Sequence, residues 1–146
     1  MDIKTNYFEF KNALSKGDTQ KAIEHFQKAF EDAFALYQIK LTNNEKFDLK
    51  NENELFAVVT LTDNAIGFWK EGMLDEGIAF CESMVDLVDS DKLKEMFKGY
   101  SLGMEAGVGV DEFFKKYVDL SKIDDEFPQF LCNFTEKIKE LIKFHH

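Results

Sequence analysis

Apolar residues recur along most of the chain at spacings of three and four, the period of an α-helix, and strand-type alternation is scarce. The spacing predicts a first helix near Asn6 to Lys16, with Tyr7, Phe10 and Leu14 along one side. Gly17-Asp18 ends it, and Asp18 or Thr19 caps the next. The second helix, Thr19 to Ile39, is the clearest. Ala22, Phe26, Ala29, Phe30, Ala33, Phe34 and Tyr37 form one apolar stripe, with Lys21, Glu24, Lys28, Glu31 and Asp32 off it. A stripe of this kind buries against neighbouring elements, so the Phe26, Phe30, Phe34 ladder is expected in the core.

A linker rich in Asn and Lys follows, Leu41 to Lys50. Asn51 with Glu54 three positions on predicts a capping box for a third helix running to about Lys70. Within it, Leu55 to Thr62 is a continuous apolar run that would also suit a strand; the lack of a partner strand selects helix. Gly72 separates that helix from a fourth, about Leu74 to Val88, and Ser90 caps a fifth beginning at Asp91. Gly99, Gly103 and Gly107 recur every four residues in the stretch from Gly99 to Gly109. In a continuous helix they would line one groove open to close backbone approach. Interior Gly costs about 0.8–1.0 kcal/mol per position relative to Ala, so a broken helix is the alternative. A sixth helix, Asp111 to Leu120, and a seventh, about Pro128 to Phe144, complete the pattern, with Pro128 suited to the first helical position. The expected architecture is all-α, a single domain spanning 1–146, built of six or seven antiparallel helices.

Composition supports a packed core. Of 146 residues 45% are hydrophobic and 16 are Phe, enough to fill an interior without disulfides or a structural metal. No apolar run approaches the length needed to cross a bilayer. Met1-Asp2-Ile3-Lys4-Thr5-Asn6 lacks a basic region followed by an apolar stretch, so a cytoplasmic location is expected. Cys81 and Cys132 are then expected as reduced, buried small hydrophobes.

Charge narrows the partners. Asp and Glu total 28 against 18 basic residues, a formal charge of -10, and every basic residue is Lys. Arg is the side chain that forks onto phosphates and guanine edges. The Lys residues are scattered, with modest groupings at Lys92, Lys94 and Lys98 and at Lys137, Lys139 and Lys143. Nucleic acid and anionic membrane are therefore not expected as partners, and a basic protein is.

Catalytic constellations are missing from the sequence. A hydrolytic zinc site needs paired His residues, and His25 is the only one before the closing His145-His146, which are set aside. No Gly-x4-Gly-Lys phosphate loop occurs, and the acidic run Asp86, Asp89, Asp91 lacks the central Gly and closing Glu of a calcium loop. His25 lies beside the apolar stripe of the second helix and reads as a boundary residue. A non-catalytic protein with no cofactor and no metal is expected.

The most informative surface pattern lies on the fourth helix. From Glu71 to Asp91 there are seven acids and no Lys. At about 100° per residue, Glu71, Asp75, Glu82, Asp86 and Asp89 fall within a narrow wedge. Leu74, Cys81, Met84, Val85, Leu87 and Val88 point the other way. Same-sign neighbours four apart oppose helix formation, and Asp86 and Asp89 lie near the carboxyl end, where the dipole disfavours negative charge. The wedge reads either as a solvated face of an acidic protein or as a docking surface for a basic partner. Asp119, Asp124, Asp125 and Glu126 form a second acidic cluster that would extend it. Trp69, the sole Trp, reads as a core aromatic or as an anchor for that partner.

Two segments superpose without gaps, Gly17 to Phe30 and Gly72 to Val85. Each has a turn Gly, a small residue five on (Ala22, Gly77), then Ile (Ile23, Ile78), then an apolar residue nine on from the Gly (Phe26, Cys81). That order resembles the second helix of a tetratricopeptide repeat, in which small residues let paired helices approach. Gly17 and Gly72 are 55 positions apart, against about 34 in a regular array. The resemblance implies stacked helical hairpins and an adaptor or secretion chaperone that holds a peptide segment in a groove. In size and charge the chain also resembles bacterial immunity proteins against cationic nuclease toxins, which implies an acidic inhibitor of a basic partner.

Overall fold

A computed structural model describes residues 1–145; His146 and the side chain of His145 lie outside the described residues. The fold is all-α. Its helices are α1 (Ile3–Ser15), α2 (Thr19–Asn43), α3 (Glu52–Lys70), α4 (Leu74–Leu87), α5 (Asp91–Glu105), α6 (Val110–Tyr117) and α7 (Ile138–His145). An isolated antiparallel bridge pairs Val118 with Phe134. Contacts gather in two compact units, one ending at Asn64 and one beginning at Ala65, so the boundary falls inside α3.

In the first unit α1 starts earlier than the periodicity predicts. The Asp2 carboxylate accepts from the Thr5 N–H at 2.8 Å, and the Ile3 N–H donates to Asn53 Oδ1 at 3.1 Å. Both satisfy amides that a helix start leaves without partners. The turn into α2 is a Schellman motif, with Gly17 at φ 74° and the Asp18 N–H returning to Ala13 O at 2.9 Å. Asp18 then caps α2 by accepting from the Lys21 N–H.

The Phe ladder of α2 corrects the expectation drawn from its stripe. Ala22, Ala29 and Ala33 are the buried face, whereas Phe26, Phe30 and Tyr37 are half-buried and Phe34 is 40% exposed. Helices α1 and α2 pack on each other, with the Phe10 ring 4.8 Å from that of Phe26 and His25 hydrogen-bonded to Asn6. The rings lie farther round the helix and stack on one another, with centroids 6.5 Å apart for Phe26–Phe30 and 5.7 Å for Phe30–Phe34.

Helix α2 also runs past its expected end to Asn43, stopped by Asn44 in the left-handed region at φ 54°. Half of the expected capping box forms before α3. Asn51 Oδ1 accepts from the Glu54 N–H, but the Glu54 carboxylate turns instead to the Asp48 N–H and to Lys40 at 2.8 Å. Phe56 through Thr62 is buried without a break, which makes the run look strand-like in sequence. A helix apolar on all sides is an interior helix. Thr60 and Thr62 donate their hydroxyls to Phe56 O and Val58 O, both at 2.7 Å.

In the second unit α4 and α5 pack against each other. Helix α5 continues through Gly99 and Gly103 but ends at Glu105, where Gly107 at φ 74° turns the chain, so the stretch from Gly99 to Gly109 is a helix broken before its third glycine. A Cβ at Gly99 would stand 2.4 Å from the Phe134 ring, and one at Gly103 2.6 Å from Phe113. The two glycines thus admit aromatic rings to the helix backbone.

Helix α6 ends at Tyr117 rather than Leu120, because Val118 turns extended to bridge Phe134. Helix α7 begins at Ile138, not Pro128. Pro128 sits in a turn closed by the Phe130 N–H on Phe127 O. Buried Phe127, Phe130 and Cys132, and the Tyr100 hydroxyl on Leu131 O at 2.6 Å, hold that segment irregular. Tertiary contacts there outweigh helix propensity.

Candidate functional site

The acidic residues singled out in sequence all lie in the second unit, and the structure changes their grouping. Asp75, Glu82 and Asp86 are on α4 and exposed. Glu71 belongs to the turn after α3, and Asp89 lies beyond the extended Val88 that ends α4. Backbone angles at Met73 (φ -84°, ψ 66°) and Val88 (φ -112°, ψ 140°) break the helical phase, so the wedge is not one rod of five residues. It is a three-residue row with exposed Glu71 and Asp89 at its two ends.

Opposite this row, Gly77, Cys81, Met84 and Leu87 are buried, as the apolar side of the pattern requires. Among the described residues, Glu71, Asp75, Glu76 and Glu82 form no ion pair, in contrast to Glu95 with Lys98 at 3.7 Å.

Two expectations are corrected. Trp69 is not presented to a partner. It is 4% exposed, its ring 4.9 Å from Phe113, and its Nε1–H donates to Val108 O at 2.9 Å. Asp124 does not extend the acidic face. It is buried, with Oδ1 accepting from Lys92 Nζ at 2.6 Å and Oδ2 from the N–H groups of Glu126 and Phe127. The Lys92 ammonium and these amides hold the Asp124 carboxyl at about 2, and the carboxylate raises the Lys92 pKa in turn. Asp119 is taken up locally, accepting from the Ser121 hydroxyl and N–H.

The residues considered for chemistry are engaged structurally. His25 sits in the first unit with Nδ1 3.0 Å from Asn6 Oδ1. Cys81 is 1% exposed, and burial, reinforced by the Glu82 charge, pushes its thiol up to about 12. A thiol so placed stays protonated at neutral pH and is a poor nucleophile. Among the described residues no His, Cys, Asp and Glu side chains gather as a metal site, and no helix is long and apolar enough to cross a membrane.

A groove that sequence reasoning missed lies beside the acidic row. It encloses about 540 Å³ and is lined by Cys81 and Val85 of α4, Phe97 and Leu102 of α5, Phe134, and Ile138 and Ile142 of α7. Exposed Glu82, Glu95 and Glu105 also line it, with Lys98 the one cationic residue among the described residues of the lining. Glu82 therefore belongs to both features. The signal available was the Ile138–Leu141–Ile142 spacing of α7; what hid the groove was the tertiary seat of Phe134 against Gly99. The chain matches no known family model, no curated protein and no solved structure.

Proposed function

We propose that this chain is a non-catalytic protein-binding module that masks a basic partner protein, in the manner of an immunity or antitoxin protein. The observation that carries this reading is the exposed acidic row of α4 with Glu71, Asp75, Glu76 and Glu82 outside every ion pair among the described residues. Exposed carboxylates such as Glu71, Asp75, Glu76 and Glu82 raise the local negative potential, which accelerates encounter with a cation and selects against anionic partners. The partner class is a cationic protein such as a toxin, whose inhibition accounts for charge gathered at the expense of helix stability. No cofactor enters the function.

Titration with cationic proteins tests it, the product of the adjacent gene first among them. Binding should weaken steeply as salt rises past physiological ionic strength, and Asp75→Lys, Glu82→Lys and Asp86→Lys together should abolish it. Binding that ignores both salt and charge reversal would remove the reading.

A second reading, a tetratricopeptide-like adaptor or chaperone holding a peptide, has its own support. The Gly17 and Gly72 turns share one Schellman geometry, each followed by a buried small residue five positions on, Ala22 and Gly77, and Gly107 repeats the turn. That reading expects weak salt dependence and indifference to the triple reversal.

A further inference from the structure

We propose that the groove lined by α4, α5 and α7 seats the apolar side chains of a cationic amphipathic segment of the partner protein, while Glu82, Glu95 and Glu105 receive that segment's Lys or Arg residues. The inference rests on the acidic-face reading and adds to it a defined, largely apolar contact. A space of about 540 Å³ accommodates several side chains. Its lining includes Ile142, 41% exposed, and half-buried Val85, Leu102 and Phe134, apolar surface that a monomer leaves open to water.

Charge selects the occupant. Among the described residues three carboxylates meet one ammonium at the groove, and that ammonium, Lys98 Nζ, already lies 3.7 Å from Glu95. An acidic segment, an anionic lipid surface or a second copy of a chain of formal charge -10 meets repulsion there. A segment with apolar residues on one face and Lys or Arg beside them satisfies both chemistries at once. Glu82 ties the two together, since it sits on the acidic row of α4 and on the lining of the groove.

The test uses the full chain and three fluorescein-labelled synthetic peptides at low and physiological salt. One carries Lys and Leu at helical spacing, one replaces its Leu by Gln, and one replaces its Lys by Gln. Fluorescence anisotropy should show the Lys/Leu peptide binding at least roughly tenfold more tightly than either control. Amide NMR shifts should centre on Val85, Leu102 and Ile142. Ile142→Gln, at a half-exposed position that folding tolerates, should weaken the Lys/Leu peptide by roughly tenfold and leave the salt dependence in place.

Equal binding of the two cationic peptides, both released by salt, would overturn the groove proposal and leave the acidic face standing. Failure of both cationic peptides to bind would overturn the groove as well, and titration with whole basic proteins then decides the acidic face separately. Equal binding of the neutral Leu peptide would overturn the charge selection. Self-association of the unliganded chain, seen by sedimentation and suppressed by Ile142→Gln, would make a second copy the occupant and overturn the proposal.

Discussion

Asp124 is where a single side chain carries most structural consequence. Its carboxylate accepts from Lys92 and from the amides of Glu126 and Phe127, so it organises the turn that leads into the irregular segment the sequence pattern assigned to α7. Because its folded pKa, about 2, lies below the ordinary 3.8, its contribution to stability is complete above the ordinary value and is lost as pH falls toward 2. Lys92 has the opposite sign: its pKa is raised, so its contribution is complete below the ordinary lysine value and fades only in strong alkali. Asp124→Asn should therefore lower the urea midpoint at neutral pH and flatten the stability profile between about pH 4 and pH 2. Urea titrations at stepped pH measure both; an unchanged acid limb would mean the pair contributes nothing. Nothing in the sequence near Asp124 announces this role, because its partner Lys92 is 32 positions away and only the fold joins them. Trp69 makes the same point. Its sequence context left core and anchor both open, and its bond to Val108 O, 39 positions on, decided for core.

At the level of elements, helix existence was legible and helix ends were not. Periodicity located most of the helices, since a repeat of three and four is a property of each segment alone, whereas α3, apolar on every side, was assigned from its cap and the lack of a partner strand. Ends failed where a distant contact set them: α6 stops because Val118 bridges Phe134, and α7 starts late because Phe127, Phe130 and Cys132 are drawn into the interior. The interior glycines of α3 and α5 separate propensity from packing. At Gly67 an added Cβ meets nothing within 4 Å, whereas at Gly103 it would lie 2.6 Å and 2.7 Å from the fully buried Phe113 ring. Gly67→Ala should thus stabilise the chain by about 0.5–1 kcal/mol through reduced backbone entropy. Gly103→Ala should destabilise it by about 1–3 kcal/mol, because the Phe113 ring is close-packed and has nowhere to move. Chemical denaturation of the two variants checks the pair, and equal effects would show that α5 is looser than its packing implies.

Across the whole molecule, the -10 charge is a cost to the folded state as well as a means of recognition. Glu82→Lys reduces the formal charge to -8 and removes a like-charge pair with Asp86 four positions on. It should raise stability by about 0.2–0.5 kcal/mol while weakening capture of a cationic partner. Thermal denaturation and salt-titrated binding on the same variant read the two effects, and a loss of both would place Glu82 in the framework instead of the surface. The sequence by itself determined the all-α class, the Gly turns before α2 and α4, the acidic flank of α4 and the buried side opposite it. Each depends on neighbours within a turn or two, or on net charge, and these are written in order along the chain. Only tertiary structure decided that the Ala face of α2 is buried in preference to its Phe ladder, that Asp124 is internal, and that Phe134 seats on Gly99 beside an apolar groove. Those outcomes depend on which surfaces meet after folding, and residues far apart in sequence carry no local mark of the partner they will find.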